Sequence, residues 1–137
     1  MRYLLPLLLL FSPFFSLPAH AADDSKAQTQ PEYGYYELNP DIITNYLGDK
    51  PHLGYLRVSV QLMVKNKAKL AILELHAPLL RDAIIQLIGD RTGDQVKSLI
   101  GREKLRKDCL KAVQELLQAE TGDPTVDDLL FTKYLYY

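Results

Sequence analysis

The chain has 137 residues, with 16 Lys and Arg against 17 Asp and Glu, and 47% of it is apolar. That length suits one domain, since single domains cluster at roughly 100–150 residues. The near-zero net charge argues against a broad nucleic-acid-binding face. The single cysteine excludes an intrachain disulfide and a four-cysteine metal site.

These averages conceal two unlike pieces. Residues 1–21 hold three of the four Phe, three of the eight Pro and one charge, Arg2. Arg2, an apolar run from Tyr3 to Leu17, and the closing Ala19-His20-Ala21 make the three-part layout of a secretory signal peptide. Cleavage is expected after Ala21. The competing reading is a retained membrane anchor. A spanning helix needs roughly 20 apolar residues, and this run is shorter and is interrupted by Pro6 and Pro13. Export implies an oxidising compartment, where Cys109 is expected to be buried or paired between chains. The remaining residues carry 15 Lys and Arg against 17 Asp and Glu, a net charge of −2.

Residues 22–32 are polar and without apolar periodicity, and they read as a flexible linker. The folded domain is expected over residues 33–137. Tyr33 to Leu38 is aromatic-rich and ends at Asn39-Pro40, which suits a short edge strand. Asp41 to Asn45 continues extended, and Gly48-Asp49-Lys50-Pro51 is turn chemistry. Tyr55 to Lys65 alternates strictly. Leu56, Val58, Val60, Leu62 and Val64 fall on one face, and Arg57, Ser59, Gln61, Met63 and Lys65 on the other.

Lys67 to Ile88 has helical spacing. Ile72, Leu75, Leu79, Ala83 and Leu87 form one row, and His76, Leu80, Ile84 and Ile88 an adjacent one. Pro78 lies inside and removes the bond to the Glu74 carbonyl, so a kink or restart is expected there. Gly89 is a natural stop. Thr92 and Gln95 have capping-box spacing and open a short helix. Glu103 to Glu120 reads as a second long helix with Leu105, Cys109, Ala112, Val113 and Leu116 on one face. Thr125 to Tyr137 reads as a strand with bulky groups on both faces. The expected fold is α+β: a small sheet of three or more strands packed on two long helices.

Catalytic constellations are missing. The sequence has no HExxH, GxSxG, GxxxxGK[ST] or GxGxxG pattern. His76 is expected to be packed or hydrogen-bonded on its helix rather than a ligand, because a metal would need further convergent donors. Cys109 reads as a small apolar filler. Asp127 and Asp128 are adjacent and point to opposite faces of a strand. Glu103, Lys104, Arg106, Lys107 and Asp108 look like a solvated helix surface. The chain therefore reads as a non-enzyme with no cofactor and no metal.

Two tyrosine clusters remain: Tyr33, Tyr35 and Tyr36, and Tyr134, Tyr136 and Tyr137. They either stack across one strand pairing or enrich a protein-interaction surface. The partner-binding residues expected from sequence are Tyr33, Tyr35 and Tyr36, together with exposed strand edge.

From Tyr36 onward the chain resembles the flagellar basal-body-associated FliL family. The resemblance is carried by Tyr36-x-Leu38-x-Pro40 with Ile43-x-Asn45-Tyr46, and by Tyr55-Leu56-Arg57-Val58-Ser59-Val60-Gln61-Leu62. It continues through Ala77-Pro78-Leu79-Leu80-Arg81-Asp82-Ala83-Ile84-Ile85, Gly101-Arg102-Glu103-Lys104-Leu105-Arg106 and Leu130-Phe131-Thr132-Lys133-Tyr134. The resemblance implies a stomatin-like periplasmic domain. It also implies association with flagellar stator or basal-body proteins, assembly into homo-oligomers, and support of motility. Typical members carry a full transmembrane helix where this chain has its leader, so inner-membrane association is expected only if the leader is retained. An alternative reading is a periplasmic binding or chaperone-like module of the same fold with no motor role. Pro78 and Arg81 are expected to serve architecture, with Arg81 seeking Glu74 or Asp82 of a neighbouring chain.

Overall fold

The structure, a computed structural model, describes residues 30–48 and 52–137. The expected leader, most of the expected linker and the centre of the 48–51 turn lie outside the described residues. Four strands and three helices follow one another: β1 (Gly34–Glu37), β2 (Ile42–Tyr46), β3 (Gly54–Val64), α1 (Leu70–Gly89), α2 (Gly93–Lys97), α3 (Leu99–Thr121) and β4 (Asp128–Tyr136). A 3-10 turn over Lys67–Lys69 leads into α1. This is an α+β fold, with a fully antiparallel sheet.

β3 is the centre of the sheet. Along one edge it pairs first with β2 (Ile42 opposite Val58) and then with β1 (Tyr36 opposite Leu62). Along the other edge it pairs with β4, with Tyr134 opposite Val58 and Leu129 opposite Leu62. β1 and β2 therefore lie end to end on one edge, joined by a bend through the cis Asn39–Pro40 peptide.

Strand alternation sends Leu56, Val58, Val60, Leu62 and Val64 to one face, and all five are fully buried. Leu73, Leu80, Ile84 and Ile88 of α1 and Leu105, Cys109, Val113 and Leu117 of α3 close over them. The wide α1 stripe expected from spacing is narrower in fact. The row through Leu80, Ile84 and Ile88 is buried, whereas Leu75 and Leu79 are exposed.

Pro78 does not break α1, which runs unbroken from Leu70 to Gly89. Pro78 and Glu74 both lie on the exposed side, so the carbonyl freed by proline faces solvent, while the buried row holds the helix against the sheet. Arg81 also departs from expectation. Its guanidinium donates to the backbone carbonyls of Pro40 and Asp41 (2.8 Å to the latter), and so pins the bend between β1 and β2 onto α1.

The helix ends follow local chemistry. Asn66 accepts from the Ala68 N–H (2.9 Å). The Gln95 side chain accepts from the Thr92 N–H (3.0 Å), one half of the expected capping box. Ser98 caps α3 through Gly101 (3.0 Å), so the helix begins at Leu99, four positions upstream of the start read from sequence. Gly122 ends α3 with φ of 80°, the left-handed conformation that glycine adopts without a Cβ penalty.

β4 carries a bulge. Ser59 faces Lys133 but Val60 faces Phe131, which leaves Thr132 as the extra residue. Leu129 and Phe131 point to the core before the bulge, and Tyr134 does so after it. This resolves why the strand showed bulky residues on both faces.

Candidate protein-interaction surfaces

Groups suited to catalysis are scattered and occupied. Nδ1–H of His76 donates to the Ile72 carbonyl (2.8 Å) one turn back in α1. Cys109 is fully buried, and burial pushes its thiol up to about 12, far from a reactive thiolate. Asp127 accepts from the Lys65 N–H (2.8 Å), whereas Asp128 accepts from Arg106 (2.8 Å), so the two carboxylates turn to different partners. Among the described residues no group of three His, Cys, Asp or Glu side chains could hold a metal. No described helix is long and apolar enough to cross a membrane.

The charged residues of α3 are more than a solvated surface. Arg106 binds Glu103 (2.8 Å), Asp128 (2.8 Å) and the Leu129 carbonyl (2.8 Å), tying α3 to β4. The Arg106 contact holds the Glu103 carboxyl at about 2. Asp108 accepts from Arg91 (2.9 Å) and Lys104 (3.0 Å), tying α3 to the segment after α1. Only the short-range pairs within the helix were visible as spacing.

The sheet face away from the helices is built around Asp41. Its carboxylate accepts from Ser59, from Arg57 (2.7 Å) and from Lys133 (3.1 Å), which sit side by side on β3 and β4. These bonds, Ser59 first, hold the Asp41 carboxyl well below the usual carboxylate range. The cluster fastens the start of β2 across β3 and β4.

The two tyrosine clusters do not meet across a strand pairing. β1 pairs one edge of β3 and β4 the other, and Tyr35 opposes Met63 whereas Tyr136 opposes Leu56, far along β3. The expected stacking is therefore replaced by separate contacts. Tyr134 packs on Phe131 (centroids 5.5 Å apart) and Tyr136 (6.5 Å), with Arg102 over its ring at 5.4 Å. Within the N-terminal cluster, Tyr33 and Tyr35 are exposed at 43% and 53%, while Tyr36 packs on the core.

The opposite end of the domain exposes more apolar surface. There β2 and β4 finish, β3 begins, α1 ends and α3 starts. Ile100 is 86% exposed and Leu99 77%, and Ile43, Leu47, Leu53 and Tyr137 are also exposed. Sequence spacing gave little sign of Leu47, Leu53, Leu99 and Ile100, because each sits beside a turn or at a helix start, outside any periodic run. Tyr46 closes this end from within: its buried ring lies against Gly54, where any Cβ would come within 2.1 Å of it. Its hydroxyl donates to the Tyr137 carbonyl (3.2 Å). Between β2 and α1 lies an open groove of about 690 Å³ lined by residues 43–47, Leu53, Ile85, Gln86, Gly89 and Asp90.

Comparison with known proteins agrees with the resemblance seen in the motifs. Residues 35–136 match the family model described as flagellar basal body-associated protein FliL. The flagellar protein FliL of Aquifex aeolicus (strain VF5) is 35% identical over 106 residues. The matched region is 77% of this chain and 63% of that relative, so the chain spans under two thirds of the relative's length.

Proposed function

Since the chain belongs to the FliL family of flagellar basal body-associated proteins, we propose that it is a non-enzymatic, exported accessory of the flagellar motor. It acts in the periplasm beside the stator or basal body, self-associates, and supports motility. The observation that carries this reading is a family match running through every strand and helix of the described domain. The surface chemistry supports a protein-binding role: exposed apolar side chains lie at both ends. Exposed patches of that kind are typical of surfaces that bind other proteins.

Exposed Tyr35 of β1 and Tyr33 just before it provide the contact surface nearest in sequence to the N-terminal leader. Tyr36 contributes from the core side by fixing β1 in place. The leader decides how the domain is held. N-terminal sequencing of the protein isolated from cells, with fractionation, is expected to give a start at Ala22 in the soluble periplasmic fraction. An intact Met1 in the membrane fraction would show an anchored form instead. Co-purification with stator or basal-body proteins checks the partner class. Absence of such partners from a crosslinked motor preparation would count against it.

A further inference from the structure

We propose that the groove between the outer edge of β2 and the C-terminal half of α1 takes an extended segment of a partner protein as an added strand, with a Lys or Arg of that segment facing Asp90. This rests on the reading of the protein as one that binds other proteins, and not on which machine it serves.

The backbone geometry comes first. The Leu47 N–H points away from β3 and donates to the Arg91 carbonyl (2.8 Å). In an antiparallel pair, successive residues turn their N–H and C=O alternately toward and away from the partner strand. Ile43 and Asn45 therefore turn their backbone groups outward, like Leu47. The other side of the sheet has the matching parity. Tyr55 exchanges both backbone bonds with Tyr137 (3.2 and 2.9 Å), so Gly54, Leu56 and Val58 serve β2. The outer edge of β2 is thus a row of unpaired donors and acceptors, the template for strand addition. Its far end is already used in this way by the chain itself, in the parallel bridge between Leu47 and Thr92.

The walls specify the side chains of the incoming strand. Ile43 and Leu47 are exposed on the sheet side, Leu53 closes one end, and Ile85 lines the helix side. These favour apolar residues at alternate positions. Gly89 has nothing within 4 Å of where a Cβ would stand, so the helix wall stays open there. Among the described residues, the one charge lining the groove is Asp90. Among the described residues its carboxylate has no partner, whereas the neighbouring Arg91 turns away to Asp108. A single unpaired anion beside an unpaired strand edge is complementary to a cationic, otherwise apolar, extended segment.

A random library of about twelve-residue peptides displayed on phage, selected against the full chain, tests this mode directly. The expected result is a consensus of alternating apolar residues with a Lys or Arg at one position. Selection against Asp90→Lys should exchange that base for Asp or Glu. A selected peptide should lose about two- to fivefold in affinity for Asp90→Asn, the scale of one partly exposed charge contact. N-methylation of its edge-facing amides should weaken it by roughly fivefold or more per bond on the unaltered protein, where folding is not in question. Asn45→Pro, which removes an outward N–H, should abolish selection while circular dichroism stays that of the wild type. No enriched peptide, the same consensus on Asp90→Lys, or indifference to N-methylation would each overturn the proposal. Those outcomes are independent of a swimming assay of the deletion strain, so failure of the groove and failure of the motor reading are told apart.

Discussion

The two ends of the domain are closed by different chemistry. Where β1 and α1 begin and α3 finishes, the ties are ionic. Lys69 meets Asp123 at 2.9 Å, Lys67 meets Glu32 at 2.8 Å, and Asp127 binds the backbone and side chain of Lys65. Where β2 and β4 finish, the Arg91–Asp108 pair (2.9 Å) is joined by backbone bonds and tyrosine hydroxyls. Leu47 binds Arg91, Tyr46 binds the Tyr137 carbonyl, and the Tyr134 hydroxyl donates to the Val96 carbonyl (2.8 Å). The charged end turns its aromatic surface outward mainly through Tyr33 and Tyr35. The tyrosine-closed end turns out Ile43, Leu47, Leu99 and Ile100. Surface ion pairs can close an end with little apolar cover, whereas exposed aliphatic groups leave apolar surface that suits contact with other proteins.

The contrast can be broken hardest at Tyr46. Tyr46→Ala removes a fully buried ring from the tyrosine-closed end and should cost about 3–5 kcal/mol in urea unfolding. Gly54→Ala, which pushes a Cβ into the same ring, should cost about 1–3 kcal/mol. If Tyr46→Ala unfolds no more easily than the wild type, that end is not held by its aromatic anchor. Ser98→Ala loses the α3 cap on the same side and should cost about 1 kcal/mol.

Acid should act on the ionic contacts. The Asp123 carboxyl is held below its ordinary value by the Lys69 hydrogen bond first and the Thr125 N–H next, and Asp41 is held low by Ser59, Arg57 and Lys133. A carboxyl whose folded value is depressed stabilises fully above its unfolded value, about 3.9 for Asp, and loses that contribution as pH falls below it. The urea midpoint should therefore fall between about pH 5 and pH 2, and Asp123→Asn should reduce the size of that fall. The opposite sign applies in base. Burial raises Cys109 and Tyr134 to about 12. Their contributions are complete below their unfolded values, about 8.5 and 10, and are lost as pH rises toward 12. An unchanged midpoint across pH 9–12 would contradict their burial.

The smallest effects belong to the exposed residues at both ends. Tyr35→Ser and Ile100→Ser should each change stability by less than about 0.5 kcal/mol. A larger loss by either would show that the residue is part of the fold rather than a surface for a partner.

The layered fold was legible because its two signals are periodic. The alternation from Leu56 to Val64 marks the central strand, and Leu80, Ile84 and Ile88 mark the buried helix row. Three things were not legible, each for a physical reason. Tertiary packing overrides Pro78, whose missing bond falls on the solvent side. The bulge at Thr132 changes the face of every later residue in β4, and a one-residue slip leaves only mixed alternation in the sequence. Asp41, Arg81, Arg106 and Asp108 act through partners distant in the chain, which spacing cannot show. Of the three tyrosines expected at a contact surface, Tyr33 and Tyr35 are exposed and Tyr36 packs on the core. The β2 edge and its groove appear only once β3 and α1 are placed around them.

The central claim, that this protein supports the flagellar motor, is tested most directly by motor rotation under load. Speed would be measured with large beads on flagellar stubs in a strain lacking the gene, with and without the full-length chain restored. The account predicts slower rotation at high load in the deletion strain and recovery on restoration. Equal torque in the two strains, with normal spreading in soft agar, would contradict it.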